Sequence, residues 1–156
     1  MNASTLSVQT YRPEFRSDFE RLNRAWLESH ALLEAADLVY LEDPEGQIVA
    51  KGGQIFFALD GNEVTGTCAA IPVSASVMEL AKLAVTPAAQ GRGVGRRLTL
   101  AVLEYARAAG ARDVVLTSNT LLTSAIHLYE SLGFRHAEMP ADVRYETADV
   151  YMTLSL

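Results

Sequence analysis

The hydrophobic pattern changes period several times along the chain, and each change marks an element. Residues 6–11 read as a short first strand. Pro13 then opens a helix in which Phe15, Phe19, Leu22 and Trp26 recur at helical spacing. A second helical stretch covers residues 31–41 and stops near Pro44 and Gly46. Gly52-Gly53 punctuates the chain, and residues 54–59 alternate as a strand. Asp60-Gly61-Asn62 is a hairpin signal, so the partner strand runs from residue 63 to about residue 73. Another strand spans residues 77–85 and is ended by Pro87.

Beyond a glycine-rich stretch, Leu98, Ala101, Val102, Tyr105 and Ala106 share one helix face, and Gly110 sits where a C-terminal cap belongs. Residues 113–117 form a short buried strand. From about Thr123 a further helix carries Ala125, Leu128, Tyr129 and Leu132 on one stripe, and Phe134 is placed to fold back on its last turn. Residues 148–154 alternate as a final strand. The order β-α-α-β-β-β-α-β-α-β-β predicts a mixed sheet with helices on its faces.

Composition narrows this picture little. A chain of 156 residues with 49% hydrophobic content suits one domain, 1–156, with one core. The N-terminus lacks the basic patch and apolar run of a signal peptide, and no stretch is apolar enough to span a membrane. Cys68, the single cysteine, rules out an internal disulfide and a multi-cysteine metal site, and His30, His127 and His136 lack metal-ligand spacing. A cytoplasmic protein without a metal or a membrane partner is the expectation.

Charge is more informative in its distribution than in its sum of -6, although that sum already disfavours nucleic acid as a partner. Between Ala25 and Ala50 there is no Lys or Arg, whereas Glu28, Glu34, Asp37, Glu42, Asp43 and Glu45 all fall there. Between Leu80 and Leu103 there is no acid, whereas Lys82, Arg92, Arg96 and Arg97 do. This basic stretch contains Gln90-Gly91-Arg92-Gly93-Val94-Gly95, directly before a helix. Backbone N–H groups of glycines approach an oxyanion closely, and a helix start adds free N–H groups and the positive end of its dipole. A pyrophosphate is the natural ligand. The loop spells neither a P-loop, since no Gly-Lys pair occurs, nor a dinucleotide fingerprint, since the sixth position from Gly91 is Arg96.

Gln90-x-x-Gly93-x-Gly95 resembles the Gln/Arg-x-x-Gly-x-Gly/Ala signature of the GNAT (Gcn5-related N-acetyltransferase) superfamily. Residues 79–87 are similar to that family's fourth strand; Leu116-Thr117-Ser118-Asn119 and residues 125–134 are similar to its fifth strand and following helix. The resemblance covers residues 79–134 in order and spacing. It implies an α/β (α+β) fold with a mixed, mostly antiparallel sheet of about seven strands, splayed at strands 4 and 5, with helices on both faces. It also implies acetyl-CoA as cosubstrate, held by Leu83, Ala84 and Val85, by the loop Gln90, Gly91, Arg92, Gly93, Val94, Gly95 and Arg96, and by Asn119, Ala125 and Tyr129. Proteins of this type often pair, so a homodimer is compatible with it.

Acetyl transfer to an amine requires a deprotonated amine, a polarised thioester carbonyl and a stabilised leaving thiolate. The resemblance puts Tyr129 beside the CoA sulfur as the acid, and a backbone N–H around Leu83 at the carbonyl. Glu79, the only acid between Thr65 and Leu103, is the candidate base. Its six-residue separation from Val85 puts both on one strand face if the strand is regular. The alternative role for Glu79 is a structural carboxylate bonded to backbone or to Lys82. Cys68 reads as core, and so does Trp26, with a place in the wall of the acceptor pocket as its alternative. The expected reaction is acetyl transfer from acetyl-CoA to a small-molecule or peptide amine, and the acidic run, with Glu28 and Glu34 as acceptor contacts, leans toward a cationic one. A non-catalytic acyl-CoA-binding module and another kind of nucleotide-binding domain are the competing readings.

Overall fold

Strands β2 (Gln54–Asp60) and β3 (Glu63–Pro72) are buried on both faces, which places them inside the sheet. Successive side chains alternate between two cores. Phe56, Ala58, Cys68 and Ala70 enter one, whereas Ile55, Phe57, Leu59, Val64, Ala69 and Ile71 enter the other. A computed structural model of the chain describes residues 5–156; the opening of the N-terminus, residues 1–4, lies outside them. Among the described residues the sheet has seven strands in the order β1-β2-β3-β4-β5-β7-β6, with β1 at Leu6–Thr10, β4 at Val77–Val85, β5 at Asp113–Ser118, β6 at Arg135–His136 and β7 at Val150–Ser155. Every neighbouring pair is antiparallel except β4 and β5.

Helices α1 (Arg16–Ser29) and α2 (Ala35–Glu42) cover one face, and the four-residue α3 (Pro44–Gln47) follows. Phe15, Phe19, Leu22, Tyr40 and Leu41 fill that core. Helices α4 (Val94–Ala108) and α5 (Thr123–Ser131) supply Val94, Leu98, Val102, Ala106 and Tyr129 to the opposite core. Close packing of α4 requires Gly66, where a Cβ would lie 3.0 Å from both Val94 and Leu98 side chains.

Two expected boundaries move. The second helix starts at Ala35 rather than residue 31, because Ala31 adopts a left-handed φ of 54° and ends the preceding helix. The new helix is entered through the Asp37 carboxylate, which accepts the Glu34 backbone N–H at 2.8 Å. The last strand starts at Val150 rather than residue 148, since the Ala148 N–H turns back to the Tyr145 carbonyl at 3.4 Å.

Two departures from regularity in β4 build the site. Its parallel pairing with β5 covers only Val77–Asp113, Met78–Val114 and Glu79–Val115. Both strands continue unpaired to one another, to Val85 and Ser118, so a V-shaped gap opens beyond Glu79. On the other edge, Thr67 faces Ala84 and Ala69 faces Ala81, so one extra residue is inserted in β4 opposite Cys68. Lys82 lies in this bulge with φ 58°. The extra residue corrects the regular-strand expectation. Met78, Leu80, Leu83 and Val85 pack with the α4 core, whereas Ala81 and Ala84 pack with the α1–α2 core. Glu79 and Val85 therefore lie on opposite faces, because the bulge shifts the two-residue alternation by one.

Candidate functional site

The gap between β4 and β5 opens into a cleft of about 460 Å³ that runs from the glycine loop, past Glu79, to α1 and α2. At one end α4 begins directly after Gly93. Gly91 and Gly93 each hold φ 79°, a left-handed conformation that side-chain-bearing residues rarely adopt. A Cβ at either position would meet no protein atom within 4 Å, so the ground in front of the loop is open to a ligand. Gln90 ties the loop to β4 by donating its side-chain amide to the Val85 carbonyl at 3.2 Å. The first N–H groups of α4 lack intrahelical acceptors and face this end of the cleft with its positive dipole.

Leu83, Val85, Gln90, Gly91, Gly93, Val94, Gly95, Arg96, Asn119, Ala125, Tyr129 and Glu79 all line this one cleft. Ala84 and Arg92 do not: Ala84 is buried in the α1–α2 core and paired to Thr67, and Arg92 is exposed. Arg97 turns away altogether and donates to the Leu6 carbonyl at 3.0 Å, so it adds no charge at the loop. The Asn119 amide is already bonded, to the Thr147 carbonyl at 2.6 Å and the Leu121 N–H at 2.9 Å.

Tyr129 is 5% exposed, and its ring lies 5.7 Å from that of Phe134. Its hydroxyl has no hydrogen-bond partner among the described residues. Burial, reinforced by nearby Cys68, pushes the phenol above its ordinary pKa, so it stays a proton donor at neutral pH. Glu79 stands where β4 and β5 part. Burial raises its carboxyl pKa, and the opposing pull of Lys82 and Arg144 only partly offsets this. Glu79 and Tyr129 line one cleft, and a carboxyl of raised pKa together with a donor phenol can serve acid–base chemistry.

The α1–α2 end contains residues that the sequence pattern did not mark, Asn23, Tyr145 and Thr147. Asn23, Trp26, Asp37, Lys82, Tyr145 and Thr147 line it. Trp26, expected in the core, is only partly buried and forms part of the wall. Lys82 makes an ion pair with Asp37 and donates to the Tyr145 hydroxyl at 3.0 Å. The Glu34 carboxylate does not face an acceptor. It receives the Glu146 and Thr147 N–H groups and the Thr147 hydroxyl. Burial works to raise its pKa, but these bonds outweigh it and the pKa is lowered. Glu28 is exposed and lies outside the cleft wall. Cys68 is fully buried core, as expected, with burial raising its thiol pKa.

A sheet splayed at its single parallel junction, with a glycine loop at the helix start beside the gap, defines an acyl-CoA-transferase type of fold. The profile of the Acetyltransferase (GNAT) family matches residues 9–134, and the chain belongs to that family. N-acetyltransferase 8 of Mus musculus is 37% identical over 90 residues, covering 54% of this chain and 40% of the mouse protein. YjgM of Escherichia coli (strain K12), an uncharacterized N-acetyltransferase, is 32% identical over 96 residues, covering 59% and 58%. The matches thus span well under two thirds of these relatives' length. A GNAT-family acetyltransferase of Staphylococcus aureus Mu50 superposes with a TM-score of 0.87 at 16% identity, covering 96% of this chain and 98% of its own. One from Elizabethkingia anophelis, solved with acetyl-CoA bound, gives 0.66 at 17% identity, covering 97% and 99%. These neighbours establish the fold.

Proposed function

We propose that the protein is an N-acetyltransferase that moves the acetyl group of acetyl-CoA to a primary amine by direct attack in a ternary complex. The observation that carries this reading is the single cleft that joins the open glycine loop, Tyr129 and Glu79. Acetyl-CoA supplies an activated acetyl group and a thiolate leaving group. Gly91, Gly93 and the first turn of α4 bind its pyrophosphate, and Leu83 and Val85 line the path of its pantetheine arm. Glu79, directly or through a water, takes the proton of the acceptor ammonium; its raised pKa brings it nearer to that task than an ordinary carboxylate. The unpaired backbone of the β4 bulge offers N–H donors to the carbonyl as negative charge develops. Tyr129 then gives its proton to the departing sulfur. No covalent enzyme intermediate is needed, and holding two substrates in register supplies much of the rate.

The acid-rich run suggested a cationic acceptor. Its two inward carboxylates are committed, Glu34 to the 146–147 backbone and Asp37 to Lys82, so recognition of a cation by that run would fall to its exposed members, Glu28 and Glu42 among them. The experiment is a thiol-release assay with acetyl-CoA and a panel of amines, with CoA binding measured by calorimetry. Amine-dependent thiol release with formation of the N-acetyl product is expected. CoA binding without release for any amine would replace the enzyme by a non-catalytic acyl-CoA-binding module. Binding of ATP in preference to CoA would overturn both.

A further inference from the structure

The Lys82 ammonium lies inside a ready-made cation site. Asp37 accepts its ion pair, the Tyr145 hydroxyl accepts its hydrogen bond at 3.0 Å, and the Tyr145 and Tyr40 ring centres lie 4.7 and 5.7 Å away. An acid flanked by two phenol rings is the chemistry that recognises an alkylammonium. The acid and the ammonium are almost fully buried, with 3% and 7% of their side chains exposed. Burial disfavours the charge on Lys82, but Tyr145 and Asp37 overcome this and its pKa is raised, so it remains an ammonium. Asp37, Lys82 and Tyr145 nevertheless line the acceptor end of the cleft.

The occupant is held there by the backbone. Lys82 lies in the β4 bulge at φ 58°, a conformation that glycine adopts readily and lysine rarely. The chain accepts this so that a four-carbon stem delivers its charge between α2 and the 144–147 segment. Arg144 completes the arrangement by donating to the Tyr40 hydroxyl at 2.7 Å. The cleft thus contains a site for a second ammonium, already filled by the chain itself.

We propose that Lys82 is a specificity-determining residue: by occupying the Asp37–Tyr40–Tyr145 cage it makes the acceptor pocket select monoamines and reject acceptors with a second cationic group. A diamine that enters the cleft brings its far ammonium against the Lys82 charge, with the Asp37 carboxylate already in use. This rests on the acetyltransferase reading, and it restricts the cationic preference suggested by the acidic run to a single ammonium.

The test compares wild type with Lys82→Gly, a substitution that relieves the left-handed backbone and empties the cage. The first measurement needs no turnover. Millimolar n-butylammonium, which matches the lysine stem, should raise the melting temperature of Lys82→Gly further than that of wild type or of the double variant Lys82→Gly/Asp37→Asn, which can bind it only as an acceptor. The second is the ratio of kcat/KM for α,ω-diamines of three to six carbons to that for the matching monoamines. Wild type should favour the monoamines at least about tenfold, and Lys82→Gly should move the ratio at least about tenfold toward one or more diamines, the discrimination expected of one buried charge contact. A thermal response of Lys82→Gly to n-butylammonium no larger than that of wild type, or a ratio within twofold of wild type, overturns the proposal. If Lys82→Gly does not fold, the wild-type ratio decides alone, and a preference for diamines overturns it. If wild type acetylates no amine, the acetyltransferase reading is what fails, and the thermal measurement still decides whether the cage binds a cation.

Discussion

The two ends of the cleft are built by opposite means. The end proposed for the cofactor is contiguous: Gln90, Gly91, Gly93 and Gly95 follow one another and offer backbone and a helix start. The end proposed for the acceptor is assembled from side chains far apart in sequence; Asp37 and Lys82 are 45 residues apart, and Lys82 and Tyr145 63. Backbone recognition tolerates many side-chain changes nearby but no Cβ at a left-handed glycine. Side-chain recognition lets specificity vary while the cofactor site stays the same. Between them stand Glu79 and Tyr129, so substitutions should separate into three groups: chemistry, fold with acceptor, and cofactor.

The largest effect belongs to the residues between the two ends. Tyr129→Phe keeps the ring against Phe134 and removes only the proton donor, so kcat should fall by about 10²–10⁴-fold with CoA affinity and melting temperature unchanged. Steady-state kinetics at saturating acetyl-CoA, with calorimetry and thermal melts in parallel, check this. An unchanged kcat under chemistry-limited conditions would leave Tyr129 a packing residue.

Glu79→Gln should lower kcat/KM over a similar range of about 10²–10⁴-fold and flatten its pH profile. The base works ionised, so the wild-type rate should climb with pH through a value above the ordinary carboxylate pKa of about 4.3. Stability moves the other way. A carboxyl whose folded pKa is raised disfavours the folded state once pH exceeds its unfolded pKa, so Glu79→Gln should melt no lower than wild type at pH 7. A large drop in melting temperature would instead make Glu79 a structural carboxylate.

Asp37→Ala tests the acceptor end. It leaves the Lys82 ammonium buried without its partner and the Glu34 N–H without its cap. A cost of about 3–5 kcal/mol, a melting temperature lower by roughly 10 °C, is expected, with little change in CoA affinity for the folded fraction. Gly93→Val tests the other end. Strain at φ 79° and a side chain in the open ground should weaken CoA binding by about tenfold or more, while the acceptor KM stays put. If Asp37→Ala weakened CoA binding as much as Gly93→Val does, the two ends would not be separable.

The smallest effect is expected at Glu34. Its lowered pKa contributes stability that is present above the unfolded carboxylate pKa of about 4.3 and lost as pH falls through the folded value. Glu34→Gln should therefore cost about 1–3 kcal/mol at pH 7 and converge with wild type in acid. Melts across pH 2–7 measure this, and parallel curves would place the Glu34 contribution outside its ionisation.

By itself the sequence determined what depends on local order. Period changes and turn residues gave the elements from β2 to α5, and the glycine loop with its neighbouring motifs pointed to one end of the cleft as a phosphate site, because backbone anion binding requires particular residues in an unbroken run. Tertiary structure decided the rest. Nothing in the spacing shows that β4 gains a residue opposite Cys68, and that one insertion reverses the face expected for Val85 relative to Glu79. Nor does an acid-rich run reveal that Glu34 fastens the 146–147 backbone or that Asp37 neutralises Lys82. A carboxylate has no local period and no fixed partner. Which cation or N–H group it meets depends on loops that close only after the sheet and its helices have formed.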